Sequence, residues 1–168
     1  MFITFEMNME NQQLIQRFYS AFQQHDLEGM KACYHQDVTF SDEVFPLLKG
    51  EQVMAMWGML LARASEVHLE ISCKDVQSST EHGGCTWEAW YDFSQTGRRV
   101  HNVINAHFLF KDGLIIRHQD KFNFWRWASM AFGVTGKLLG WTPFFKKKVR
   151  KVVEERLNKF IERNPVYQ

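Results

Sequence analysis

Two short constellations in this sequence have residue types suited to proton transfer. The first is His118-x-Asp120, near the end of an alternating segment, Leu114 to Phe124. Its even positions (Leu114, Ile116, His118, Asp120, Phe122, Phe124) are mostly apolar. Its odd positions include Arg117, Gln119, Lys121 and Asn123. Side chains alternate across a strand, so this pattern predicts that His118 and Asp120 face the core with the even set. A carboxyl buried without partners is costly and shifts its pKa upward, which makes it a general base near neutral pH. A structural His118–Asp120 hydrogen bond, or an Asp120 that caps a backbone group, accounts for the same pattern. The second constellation is Asp42, at the end of Thr39-Phe40-Ser41-Asp42 and just before the loop Val44-Phe45-Pro46. A loop acid by itself reads as solvated.

The elements that must hold these residues follow from periodicity. Asn11 to Gln24 carries Leu14, Ile15, Phe18, Tyr19 and Phe22 at helical spacing. Asp26 is placed to cap a short second helix reaching Tyr34. Val38 to Asp42 is a short strand, and a third helix follows Gly50 to about Ala64, with Trp57 on its apolar face. The period then changes to two. Strands are expected from Val67 to Cys73, Cys85 to Ser94, Val100 to Phe110 and Leu114 to Phe124. Turns are expected at Glu81 to Gly84, Gln95 to Gly97 and Lys111 to Gly113. Both faces of the strand carrying Asn102, Asn105, Ala106 and His107 mix polar and apolar residues. It reads as a central strand, covered on one side by a second subunit. Helices followed by a meander make the fold α+β, with three N-terminal helices packed on one face of a curved, mainly antiparallel sheet. Tyr19, Trp57, Trp87, Trp90 and Tyr91 are candidates either for lining a cavity or for plain core.

Beyond Trp125 the sequence is aromatic and glycine-punctuated up to Trp141. Thr142-Pro143 then opens a helix with an apolar stripe from Phe145 to Ile161. Pro143 to Gln168 holds eight Lys or Arg and three Glu, although the whole chain of 168 residues has a net charge of only +1. The stripe is expected to lie on the domain with its basic face solvated; docking to an anionic membrane surface is the other reading. The domain expectation is therefore 1–124 for the core and 125–168 for a helical extension packed on it. Charge and motifs do not indicate a nucleic-acid binder. The three cysteines form no C-x-x-C pair, and the seven histidines have no metal-ligand spacing, so no metal, disulfide framework or organic cofactor is expected. Free thiols and the lack of a signal-peptide pattern or long apolar run fit a cytoplasmic protein.

Several stretches resemble the nuclear-transport-factor-2-like superfamily, and within it the SnoaL-like polyketide cyclases and the ketosteroid isomerases. They are Gln16 to Phe22, His25 to Met30, Asp37 to Asp42, and the closing Gly113-Leu-Ile-Ile-Arg-His-Gln-Asp120. The resemblance implies a cone-shaped sheet enclosing a pocket for a small apolar molecule, and a homodimer formed through the sheet. It implies that Asp42 stands at the isomerase general-base position and Asp120 at the last-strand acid/base position of the cyclases. It also implies that Phe18 and Ala106 occupy the two oxyanion-donor positions, where neither can donate a hydrogen bond. Ketosteroid isomerase activity is not expected. The Arg-x-Asp required by limonene-epoxide hydrolases is replaced by Trp87-Glu88-Ala89-Trp90. The expected site is thus Asp120, His118 and Asp42, lined by Phe18, Tyr19, Trp57, Asn102, Ala106 and Phe122. The expected activity is that of a cofactor-independent isomerase, cyclase or epoxide-hydrolase-like enzyme; the alternative is a non-catalytic binding or dimerisation module.

Overall fold

The computed structural model describes residues 2–168, with side chains from Asn8 onward. Helix α1 spans Phe2–Gln23 and α2 spans Leu27–Lys31. The strand β1 is Tyr34–Ser41, β2 is Leu48–Lys49, and α3 is Glu51–Leu61. Four long strands follow: β3 Glu70–Ser78, β4 His82–Phe93, β5 Arg98–Lys111 and β6 Leu114–Lys121. The chain closes with α4 Phe124–Phe132, α5 Val134–Leu139, α6 Pro143–Arg163 and a 3₁₀ turn at Pro165–Tyr167. One mixed sheet runs in the order β2-β1-β6-β5-β4-β3. Only β1 and β6 are parallel, because β1 returns to the far edge of the meander after the N-terminal helices. The fold is α+β, a curved sheet with helices α1 to α3 on its concave side.

Local chemistry explains several boundaries. Asp26 caps α2 by accepting the Gly29 amide at 2.9 Å. That helix ends at Lys31, not at Tyr34; Tyr34 instead opens β1, which is longer than the five residues its sequence suggests. The β5–β6 hairpin turns on Asp112 and Gly113, both with positive φ, as a two-residue type I′ turn requires. Gly83 and Gly84 lie inside β4, not in a turn. A Cβ on Gly83 would sit 2.7 Å from the Phe110 ring and 2.8 Å from Ile15, so glycine allows α1 and β5 to close over the strand. The strand β6 stops at Lys121. Asn123 accepts the Arg126 amide and starts α4, so Phe124 is helical.

The expected alternation of β6 holds only in its second half. Phe108 pairs with His118 and Leu109 with Arg117, but Phe110 pairs with Ile115, leaving Ile116 as an extra residue. This bulge reverses the parity, so Ile115 is fully buried while Leu114 and Ile116 are half-exposed. His118 and Asp120, past the bulge, keep the inward side.

The main core joins α1, α3 and the concave sheet face through Phe18, Phe22, Phe40, Trp57, Ile104 and Phe108. A second apolar cluster contains Val100, Phe124, Trp127, Ala131, Phe145 and Val149. Val44, Tyr91, Phe122 and Val153 touch both clusters and join them. The outer side of β5 is open in the single chain: Asn105 and His107 are exposed. Outside the core, Trp90 and His101 stack at 4.6 Å.

Candidate functional site

His118 is fully buried and Asp120 nearly so. Rings of Phe18, Tyr34, Phe40, Trp57 and Phe108 surround the imidazole at centroid distances of 4.5–6.1 Å. Four hydrogen bonds form one line through this apolar interior. Trp57 Nε1 donates to the Tyr34 hydroxyl at 3.1 Å. The Tyr34 hydroxyl is 2.7 Å from His118 Nδ1, and His118 Nε2 is 3.0 Å from Asp120 Oδ1. Trp87 Nε1 donates to the same Oδ1 at 3.2 Å. Burial raises the Tyr34 pKa well above the usual phenol value, so its hydroxyl keeps its proton. Each ring nitrogen of His118 thus has one polar partner inside the core, Tyr34 on the Nδ1 side and Asp120 on the Nε2 side. Both bonds to Asp120 fall on Oδ1, and among the described residues no donor reaches Oδ2.

Asp42 is not a solvated loop acid. Its carboxyl turns inward and its Oδ1 accepts the Val44 amide at 2.6 Å and also the Phe45 amide. Burial pushes its pKa from 3.8 to about 7, the two amide bonds oppose the rise, and the charges of Asp120 and Glu43 add to it. Tyr91, beside this carboxyl, is pushed up to about 12, mainly by burial and partly by Asp42, while Trp127 donates to its hydroxyl at 2.7 Å. The Asp42 side chain thus lies with Val44 and Tyr91 where the two apolar clusters join, and the charge of Asp120 reaches it there. The first turns of α6 cover this junction: Lys146 binds the Glu43 carboxylate, and Arg150 Nε donates to the Glu43 carbonyl at 3.0 Å.

The other expected residues are distributed unevenly. Phe18, Trp57 and Ala106 are buried next to the line of hydrogen bonds, and Ala106 is the cross-strand partner of Asp120. Tyr19 is buried beside the Trp87 end of this line, with its ring 6.0 Å from that of Trp87 and its hydroxyl unpaired. Asn102 and Phe122 are only half-buried. Sequence reasoning missed Tyr34, which it assigned to a helix end. The signal available was the run Tyr34 to Phe40, whose β-formers and alternation suit a longer strand. It also missed Tyr91 and Trp127 as partners of the Asp42 side. Among the described residues no group of three His, Cys, Asp or Glu side chains could hold a metal ion.

Space is available elsewhere. One surface cleft of about 330 Å³ is lined by Tyr19, Gln12, Gln16, Cys73 and neighbours, and a second of about 290 Å³ lies between α1 and α2. Neither touches His118, Asp120 or Asp42, because the aromatic rings fill the cone around the imidazole.

The chain resembles several solved structures. A candidate polyketide cyclase of Xanthomonas campestris pv. campestris is 20% identical with a TM-score of 0.60, over 74% of this chain and 98% of that one. TerC, solved with polyporic acid, is 15% identical at a TM-score of 0.62, over 74% and 99%. An LEH-like epoxide hydrolase of M. tuberculosis is 17% identical at 0.59, over 79% and 97%. At these identities the likeness is one of fold. No protein of curated function matches the sequence. The SnoaL-like domain model, however, matches residues 15–118, well over half of the chain, and the chain belongs to that family.

Proposed function

We propose that this chain takes a small, largely apolar carbonyl or polycyclic compound at the junction near Asp42 and Asp120 and moves a proton on it, in an isomerase- or cyclase-type reaction. The observation that carries the reading is a carboxyl turned into the apolar junction: Asp42 sits there on two backbone amides, its pKa pushed up to about 7 chiefly by burial, and the charge of Asp120 adds to the rise. One ionised carboxylate takes a proton from the carbon next to the carbonyl. The C–H electron pair moves into the carbonyl and forms an enolate. The second, protonated carboxyl donates a hydrogen bond to that oxygen; the first, now protonated, returns its proton to a different carbon, or the enolate carbon attacks a second carbonyl, closes a ring, and the alkoxide so formed takes that proton. No oxidant or reductant enters. Phe18 and Ala106 contribute no donor, so this chemistry depends on the two acids. The line from Trp57 to Asp120 holds Oδ1 and leaves Oδ2 for the ligand.

A non-catalytic binding module is the second reading, favoured by the packed rings around His118 and by clefts that open elsewhere. A panel of ketones and epoxides, assayed with wild type, Asp42→Asn and Asp120→Asn, separates the two. The enzyme reading expects kcat/KM to follow an ionisation near pH 7 that disappears in Asp42→Asn, and a large loss in Asp120→Asn. Turnover unchanged in both variants removes the proposal. Tight binding of an apolar compound with no turnover selects the second reading.

A further inference from the structure

Of the ten large hydrophobic residues exposed among the described residues, six fall within residues 125–144. Val134, Leu138, Trp141 and Phe144 are 73%, 66%, 71% and 76% exposed, and Trp125 and Leu139 are exposed as well. The folded chain gathers them into one patch. Val134 and Leu138 are four residues apart on α5 and share a face. Trp125 Nε1 donates to the Lys137 carbonyl at 3.1 Å, and Trp141 Nε1 to the Leu138 carbonyl at 3.0 Å, so both indoles lie against α5. Phe144 follows across the Thr142 cap of α6. The patch is a built feature: Gly136 is pressed so closely on α4 that a Cβ there would sit 1.8 Å from the Ala128 carbonyl oxygen, which fixes α5 and its apolar face outward.

The surroundings have one sign. From Lys121 to Val153 the sequence holds eight Lys or Arg and no Asp or Glu. Lys146 and Arg150 are engaged by Glu43; Lys121, Arg126, Lys137, Lys147, Lys148 and Lys151 are exposed. Tryptophan and aliphatic side chains that protrude together among exposed cations, of which only Lys151 has an acid near it in the described residues (Glu155, 4.0 Å), match the boundary between acyl chains and anionic headgroups. A second copy of the same patch would face it with like charge and supply no acid from this segment. Nucleic acid would use the cations and rings but leave Val134, Leu138 and Leu139 in water.

We infer that the α5–α6 tip is a docking surface for an anionic phospholipid bilayer, with Trp141, Phe144 and Leu138 entering the interface and the lysines meeting the headgroups. The test uses the full chain and vesicles of phosphatidylcholine with or without phosphatidylglycerol, read by co-sedimentation and by the blue shift of indole emission. Binding is expected to anionic vesicles only, and to weaken at about 0.5 M salt, where screening acts within about 4 Å. Trp141→Ala with Phe144→Ala should weaken it about ten-fold or more, at unchanged circular dichroism because both side chains are exposed. Lys147→Glu with Lys148→Glu should do the same without altering the apolar patch. No binding to anionic vesicles at low salt overturns the inference. So does binding that the Trp141/Phe144 pair does not alter, or capture of RNA or self-association in place of vesicle binding.

Discussion

Replacing Asp42 by Asn removes one titration from a buried position while keeping its geometry. The amide oxygen of the new side chain can still accept the Val44 and Phe45 amides that now bind Oδ1. In the unfolded chain the carboxyl titrates near its ordinary value of 3.8, and in the folded chain at about 7, chiefly because burial disfavours its charge. Between those values the folded state holds a proton that the unfolded state has lost, so stability falls as pH rises through this window. Below 3.8 the carboxyl is neutral in both states and carries no such penalty; above 7 the penalty is complete. At about 1.4 kcal/mol per pKa unit, the shift corresponds to about 4 kcal/mol, reduced to about 2–3 kcal/mol for the partial exposure of the residue. Asp42→Asn should therefore change stability little at pH 4 and raise it by about 2 kcal/mol at pH 8. For a chain of this length that is about 4–8 °C in Tm. Urea and thermal unfolding of both proteins from pH 4 to 8.5 measure it, and the difference between the two curves cancels the titrations they share. Parallel curves, or a variant less stable than wild type at pH 8, would refute the claim that the Asp42 carboxyl is held desolvated.

Two further outcomes follow from the same geometry. Trp57→Phe keeps the ring among Phe18, Phe22 and Phe40 but deletes the donor to the Tyr34 hydroxyl, so it should cost about 1–2 kcal/mol in urea unfolding, with no change of fold by circular dichroism. Gly136→Ala places a methyl group into the Ala128 carbonyl and should separate α5 from α4, read as faster proteolysis and hydrogen exchange within 125–144 and a loss of at least about 2 kcal/mol, with the main core still protected.

The fold class was legible because it rests on local periodicity. Leu14, Ile15, Phe18 and Phe22 mark a helix, and the alternation in β4 to β6 marks a meander, whatever their partners are. The inward direction of His118 and Asp120 was legible from the local alternation of Arg117, His118, Gln119, Asp120 and Lys121, although the apolar even positions before and after them do not keep that parity. So was the cap at Thr142-Pro143, which depends on neighbours three residues apart. Non-local relations were not legible. The parity of Leu114 to Ile116 was misread because a bulge belongs to a pair of strands and leaves no mark on one of them. Tyr34 joined the site only because β1 lies parallel to β6 and brings residues 84 positions apart within 2.7 Å. Asp42 has no unusual sequence context; its pKa of about 7 arises from burial in the folded chain, to which Asp120 of β6 adds charge. The sequence by itself determined which residues are apolar, which are acids and how each segment coils or alternates, since those are properties of neighbouring residues. Only the tertiary structure decided which acids lose their water, which rings fill the cone and which hydrophobic side chains stay outside, since desolvation depends on everything that packs around a group.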